Sequence, residues 1–299
     1  MRSSFSTTCC GRISTARRWS APSQPMAAAI AGLAGILARI PRGLRVRIVS
    51  ALVLAPVALV IIYLGGVVWL LMVAGVGWLV HREWRAVTGA PGLVGSLAML
   101  VLTWAGAVAL HYGDADLGWA LAGLGFGAAV LAALAGRGSP LWAGAGAAYV
   151  ILPTQALVTV REAGPESVIW LFLVVWATDT GAYLAGSQIG GPKLWARVSP
   201  NKTWAGALGG ALIGAGAGAL LAWLAGEDEA VGAALVLGAV IAIVAQLGDL
   251  AESAWKRHFK VKDSGGIIPG HGGVMDRIDG LIAAAVALAV IIRLDGVSI

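Results

Sequence analysis

Charged residues are scarce in this chain. Asp, Glu, Lys and Arg make up 12% of its 299 residues, against about 25% in a typical soluble domain. Hydrophobic residues account for 59%, and glycine is frequent, with 43 residues. A soluble globular fold is therefore excluded, and the composition predicts an all-α, polytopic integral membrane protein.

Cysteines are rare in the chain, and its N-terminal part contains no acidic residues. The two cysteines, Cys9 and Cys10, are adjacent, so they form neither a disulfide framework nor a zinc site. No acidic residue precedes Glu83, and residues 1–25 are rich in Ser, Thr and Arg. That composition is typical of an organelle presequence. The alternative is that Met26 is the true start and that an artefactual extension or an unstructured tail precedes it.

Long apolar runs divide the rest of the chain into predicted membrane spans. We expect a basic tail over 1–46 and a single transmembrane catalytic domain over 47–299. The small-residue spacing of Gly214 and Gly218 predicts close helix packing in this domain. Nine spans are predicted, and Gly65 and Gly66 alone separate the first two: 47–63, 67–81, 92–111, 117–135, 141–159, 167–189, 203–225, 231–250 and 278–292.

Basic residues in the predicted loops indicate the orientation. With an inside N-terminus, the opposite side carries only Arg161 and Arg293 among its basic residues. The positive-inside rule therefore predicts a cytoplasmic N-terminus, an outside C-terminus and a cytoplasmic active site. The inside loops then hold these residues: Arg82, Arg85, Arg137, Lys193, Arg197, Lys202, Lys256, Arg257, Lys260, Lys262 and Arg277.

Two carboxylates at neighbouring span ends suggest a metal site. Asp249 closes the eighth span, and Glu252, Ser253 and Lys256 follow it on the same face of a continuing helix. Asp276 stands at the mouth of the ninth span. Pairing of Asp249 with Lys256 or Arg257 would satisfy that carboxylate alone, but two carboxylates at one surface suit Mg²⁺, which completes its shell with water and substrate phosphates.

Basic and glycine-rich loops on the same face point to phosphate binding. Lysines and glycines between the two carboxylates can approach phosphate closely, although such a loop can also simply attract anionic lipid. In the segment Ser199 to Gly206, we expect Ser199 or Asn201 as the helix cap, Pro200 in the first turn and Lys202 beside the helix N-terminus.

Two further residues have alternative interpretations. Asp179 is a costly charge within an apolar span, which favours a functional role. His271 is a base, a ligand or a hydrogen-bonded loop residue, and the lack of Cys or His partners argues against zinc.

These polar residues together resemble the signature of the phosphatidate cytidylyltransferases, the CDP-diacylglycerol synthases. The resemblance extends to DTGAYLAG at 179–186, SPNKTWAG at 199–206 and QLGD at 246–249, and it covers roughly the C-terminal half. Trp255 departs from the smaller aliphatic residue or Phe usual in the family. The signature residues are Ser253, Lys256, Arg257, Lys262, Asp263, Gly265, Ile268, Pro269, His271, Gly272, Gly273, Asp276, Arg277 and Asp279.

The resemblance implies transfer of CMP from CTP to phosphatidic acid, which gives CDP-diacylglycerol and pyrophosphate. Asp249 and Asp276 would hold Mg²⁺, with room for a second cation. The catalytic set implied is Lys202, Lys256, Arg257, Asp263, His271 and Arg277. The substrate-binding set is Asp179, Ser199, Lys202, Ser253, Lys262, Gly272, Gly273 and Asp279.

The implied setting is a bacterial inner membrane, with the bilayer, CTP and phosphatidic acid as partners, no nucleic acid, and a homodimer left open. A CTP-dependent lipid kinase is the nearest alternative, and it would release CDP instead of pyrophosphate. A secondary transporter is a more distant one, because its ionisable groups would cluster near the midplane.

Overall fold

Small glycine-rich turns separate long apolar helices in this chain. The computed structural model describes residues 56–89, 93–136, 138–267 and 272–295. A helical segment over 56–64 ends at Gly65, and Gly65 and Gly66 both have positive φ angles, of 58° and 50°. The predicted boundary between the first two spans is thereby confirmed. The predicted tail over 1–46 lies outside the described residues.

Eight long helices follow that boundary. The helices Gly66–Thr88 and Val231–His258 each continue about two turns beyond the C-terminal ends predicted for them, at residues 81 and 250. The predicted extension of the helix beyond Asp249 is therefore confirmed. The helices are α1 (Gly66–Thr88), α2 (Leu93–His111), α3 (Ala115–Ala135), α4 (Pro140–Glu162), α5 (Pro165–Gln188), α6 (Trp204–Leu224), α7 (Val231–His258) and α8 (Met275–Asp295).

Seven helices of the described part are long and apolar enough to cross a membrane. The eighth long helix, α8, is not among them; Asp276, Arg277 and Asp279 lie near its start and Arg293 near its end. The structure thus supports an all-α membrane protein. The count of nine spans stays a prediction, because the first predicted span lies mostly outside the described residues.

The bundle packs through small residues and a buried aliphatic centre. A Cβ atom at Gly218 would come within 2.9 Å of Trp170 Cζ2, and one at Gly214 would overlap the Thr178 hydroxyl. The predicted packing role of these glycines is therefore confirmed. Trp69, Leu171, Ile241 and Leu288 fill the centre, while many large apolar side chains remain exposed on the outside of the helices.

A short β-hairpin connects α5 and α6, and it was not predicted. Strands β1 (Lys193–Trp195) and β2 (Ser199–Thr203) pair antiparallel, with Lys193 opposite Thr203. Because β2 runs directly into α6, the helix cap is Thr203, whose side chain accepts a hydrogen bond from the Gly206 N–H at 3.1 Å. The prediction of Ser199 or Asn201 as the cap, and of Pro200 in the first turn, was wrong, since these residues lie in the strand.

Candidate active site

Three helix ends meet at one end of the bundle. The N-terminus of α6 approaches the C-terminal part of α7 through the ion pair of Lys202 with Asp249. The same part of α7 approaches the N-terminus of α8 through the pair of Lys256 with Asp276. The antiparallel course of these helices therefore collects the predicted site residues from three separate segments.

Asp276 is held from several directions in the first turn of α8. Its Oδ2 atom accepts hydrogen bonds from the N–H groups of Gly273 and Ser264, at 2.8 and 2.9 Å, and lies 3.0 Å from the Ser264 hydroxyl. Its Oδ1 atom lies 2.7 Å from Lys256 Nζ. Burial alone would raise the pKa of Asp276, but these hydrogen bonds and the Lys256 charge outweigh it and lower that pKa below its usual value.

Glu83, near the C-terminal end of α1, binds the other side of the same turn. Its side chain is buried, and its two oxygens accept the N–H groups of Val274 and Met275, each at 2.8 Å. The Ser264 hydroxyl lies 3.1 Å from Glu83 Oε2 and so bridges Glu83 and Asp276. Two carboxylates thus occupy the N-terminus of α8, where unpaired N–H groups favour negative charge.

Glycines allow the signature loop to press against Glu83. A Cβ atom at Gly265 would lie 2.9 Å from Glu83 Oε1, and one at Gly273 would overlap the Ser264 hydroxyl. Gly272 has a φ of 83° and lies against Asp276. Gly272 and Gly273 therefore shape the loop around the two carboxylates, whereas the prediction gave them to substrate.

Lys256 is the cation of this buried group. It lies 3.4 Å from Glu252 Oε1 as well as 2.7 Å from Asp276 Oδ1. Glu252 is itself buried and faces the neighbouring charge of Asp279. Carboxyl groups from two helices therefore lie against one ammonium group, which compensates one negative charge.

Asp249 has a more open environment. Lys202 Nζ lies 2.5 Å from its Oδ2 atom, and the Ser253 hydroxyl lies 3.4 Å from Oδ1. The Asp249 side chain is 36% exposed and that of Lys202 is 27% exposed. The charges of Asp249, Asp279 and Lys202 all act on Asp179, which lies on α5 and is exposed. Asp179 is therefore close enough to this polar region to interact with its charges.

The remaining predicted residues occupy the rim. Arg257 Nε donates to the carbonyl of Val198, at 3.3 Å, and so ties α7 to the hairpin. Ser199 is half-buried, and several residues after α7 are exposed, as is Arg277 in the first turn of α8. Lys262 and Asp263 belong to this exposed group. His271 lies outside the described residues.

An aromatic wall supports the loop from the side. Trp255 stacks on Trp84, with ring centroids 4.4 Å apart, and Tyr149 lies 5.3 Å from the Trp84 ring. Trp255 thus supplies an apolar surface at this position, although it is larger than the residue usual in the family. These ring contacts pack α1, α4 and α7 against one another. They lie next to Glu83, because Trp84 follows it in α1.

Mg²⁺ often uses few protein ligands, and Asp249 and Asp276 are the candidates for that role here. Within the described part of the chain, no group of three or more His, Cys, Asp or Glu residues is placed to hold a metal. Asp249 offers accessible oxygens, whereas both oxygens of Asp276 already have partners: the loop at Oδ2 and Lys256 Nζ at Oδ1, whose place a metal ion would have to take. One or two carboxylates completed by water and nucleotide phosphates is the usual arrangement for Mg²⁺.

Sequence reasoning missed Glu83 and underrated Glu252. Glu83 contacts residues 191 and 192 positions away, so no local spacing announces the contact. The available signal was a lone acidic side chain within HREWR, at the end of an apolar span, in a region otherwise free of acidic residues. For Glu252 the signal was its position three residues after Asp249 on the same helix face.

Comparison with known proteins identifies the family of this chain. The model of the Cytidylyltransferase family matches residues 45–295. A protein of Brucella suis biovar 1 (strain 1330) named phosphatidate cytidylyltransferase is 39% identical over 252 residues, which cover 82% of this chain and 92% of that protein. A protein of the same name from Staphylococcus aureus (strain COL) is 45% identical over 137 residues, 44% of this chain and 51% of that protein.

Proposed function

The chain belongs to the cytidylyltransferase family, and from this premise we propose that it transfers CMP from CTP to phosphatidic acid. The observation that carries the proposal is the convergence of the Lys202–Asp249 and Lys256–Asp276 pairs at one end of an apolar bundle. Paired cations and carboxylates at a membrane surface suit a reaction between a charged nucleotide and a lipid phosphate.

The reaction needs alignment and charge neutralisation more than covalent chemistry by the protein. An oxygen of the lipid phosphate attacks the α-phosphorus of CTP, and the bond from that phosphorus to the bridging oxygen breaks. Pyrophosphate leaves with the electron pair, and CDP-diacylglycerol stays in the membrane. Negative charge accumulates on both phosphates, so positioned cations lower the barrier.

The open half of the site is where we place the nucleotide phosphates. Lys202 is partly exposed and stands immediately before the N-terminus of α6, whose first N–H groups favour anions. Exchange of the Asp249 carboxylate for a phosphate oxygen would leave Lys202 paired with an anion. Arg257 and Arg277, which are exposed at the rim, are proposed to contact the phosphates as well.

The buried half of the site is proposed to keep its shape through the reaction. Glu83 holds the N–H groups of Val274 and Met275, and Asp276 holds the loop at Gly273 and Ser264. We assign Glu83 a positioning role, since its contacts fix the turn that carries Asp276. Mg²⁺ would be held by Asp249 and Asp276 and would neutralise charge on the triphosphate when bound.

The site end of the bundle is proposed to face the cytoplasm of a bacterial inner membrane, where CTP is available. The distribution of basic residues among the loops supports this orientation. A second cation, a homodimer and roles in substrate binding for the following residues remain predictions: Asp179, Ser199, Ser253, Lys262, Gly272, Gly273 and Asp279. The catalytic roles of Lys256, Asp263 and His271 do as well.

The direct test uses detergent-solubilised protein with phosphatidic acid, Mg²⁺ and CTP labelled at the α-phosphate. We expect label in the extracted lipid with a matching release of pyrophosphate. Formation of CDP with no α-label in the lipid would identify a CTP-dependent kinase instead. Omission of Mg²⁺, with EDTA present, is expected to abolish the transfer.

A further inference from the structure

A cavity with a largely apolar lining lies between α1 and α2, away from the site described above. Its volume is about 540 Å³, and its α1 wall carries Trp78, His81, Arg82 and Arg85. Leu97 and Leu100 contribute to the α2 wall. The cavity thus combines three basic side chains with apolar side chains, and within the described part of the chain no acidic residue lines it.

The cavity and the active site use opposite faces of α1. Residues three or four positions apart share a helix face, so residues 78, 81, 82 and 85 point to one side. Glu83 and Trp84 point to the other side, where they contact the signature loop and Trp255. An occupant of the cavity would therefore not compete directly with the substrates at the carboxylates.

His81 is the strongest sign that the cavity receives a polar ligand. Its side chain is buried, with 8% exposure, and neither ring nitrogen has a hydrogen-bond partner among the described residues. A buried polar group without a partner is energetically unfavourable. A ligand oxygen in the cavity would remove that cost, and the neighbouring Arg82 and Arg85 would favour an anion.

The apolar part of the wall favours a lipid over a soluble anion. Trp78 is 49% exposed and Leu97 is 50% exposed, on helices that are apolar enough to cross a membrane. Trp side chains suit the membrane interface, where a ring can contact acyl chains while nearby cations reach the headgroup. Arginines near span ends attract anionic lipid in general, but a cavity with a buried imidazole provides a defined site.

We propose that this cavity binds an anionic phospholipid, with its phosphate among His81, Arg82 and Arg85 and its acyl chains along Trp78 and Leu97. The lipid is bound as a ligand and is not consumed. Phosphatidylglycerol is a suitable probe, because its phosphodiester lacks the terminal phosphate that the transfer reaction requires. Its binding therefore reports on this cavity without turnover.

The test is retention of phosphatidylglycerol by purified protein in native mass spectrometry, with phosphatidylcholine as the neutral comparison and CTP absent. We expect wild-type protein to retain phosphatidylglycerol selectively. The R82Q/R85Q double variant is expected to lose about tenfold or more of that affinity, which corresponds to loss of one charge-assisted hydrogen bond. The matched control is K193Q/R197Q, which removes two exposed positive charges from the hairpin.

Three outcomes would overturn the proposal. Unchanged retention in the double variant would exclude the arginines, and equal loss in the hairpin control would show general charge attraction. Displacement of the lipid by an equal concentration of glycerol phosphate would identify a site for soluble phosphate. If the double variant fails to fold, Leu97→Trp tests the same cavity without a change of charge, and we expect it to lower retention by filling the space.

Discussion

The two lysine–carboxylate pairs of the site differ sharply in how they are built. Asp276 is 6% exposed and receives hydrogen bonds from the loop as well as from Lys256. Asp249 is 36% exposed, and among the described residues its one further contact beyond Lys202 is the Ser253 hydroxyl, at 3.4 Å. The first pair is therefore part of the framework, whereas the second is accessible to ligands that must enter and leave.

The helix N-termini beside these pairs differ in the same way. That of α8 is filled by Glu83 and Asp276, so its N–H groups already have anionic partners. That of α6 is capped by the neutral Thr203, with Lys202 next to it. A phosphate group that binds at α6 would only have to separate the partly exposed Lys202–Asp249 pair. Similar charge pairs can therefore belong to the buried framework at one helix end and remain accessible to ligands at the other.

The largest effect is expected from Asp276→Ala. Removal of this carboxylate deprives Lys256 of its nearest anionic partner and frees the loop at Ser264 and Gly273. Breaking a buried ion pair costs about 3–5 kcal/mol, so we expect lost turnover together with a lower free energy of unfolding in detergent. Normal stability in this variant would show that Asp276 does not belong to the framework.

Asp249→Ala is expected to separate binding from stability. Turnover should fall by about 10²–10³-fold or more, because an electrostatic group at the reacting phosphates is lost. The free energy of unfolding should change by no more than about 1 kcal/mol, since the Lys202 pair is partly exposed. Turnover and chemical denaturation of the same preparation check both parts. Near-normal Mg²⁺-dependent turnover would exclude the two-carboxylate metal site.

The sequence predicted the helices that carry the two pairs, but it did not predict the local structure at the N-terminus of α6. The apolar runs predicted the helices, and the spacing of Asp249, Ser253 and Lys256 predicted a helix that continues beyond the apolar run. The cap of α6 could not be chosen from sequence, because Ser199, Asn201 and Thr203 can all cap a helix. Strand pairing of residues 199–203 decided in favour of Thr203, and that pairing depends on tertiary structure.

Glu83 illustrates the same limit for the site itself. The signature residues occupy a single stretch of sequence, so their spacing can be read directly. Glu83 reaches them from α1, and its effect depends on how α1 packs against α8. A lone acidic residue at a basic helix end needs a hydrogen-bond or charge partner, but only the folded bundle shows that this partner is the N-terminus of α8.

A pair of Glu83 variants would sharpen the comparison between framework and binding. Glu83→Ala removes both acceptors of the α8 turn, and we expect kcat to fall by about 10²-fold through misplacement of Asp276. Glu83→Gln keeps one carbonyl acceptor, so it should recover part of kcat. KM for CTP should change much less than kcat in both variants. A dominant rise in KM for CTP would instead place Glu83 near the nucleotide.

Glu227→Ala provides the smallest expected effect and tests the polarity of the whole bundle. Glu227 is exposed in the connection between α6 and α7, at the end of both helices that is remote from Lys202 and Asp249. The 21 residues of α6 span about 30 Å, several Debye lengths at physiological ionic strength. We therefore expect unchanged turnover and stability from Glu227→Ala, measured beside Asp249→Ala. Loss of turnover would mean that chemistry reaches the other end of the bundle, and the assignment of one end to the reaction would fail.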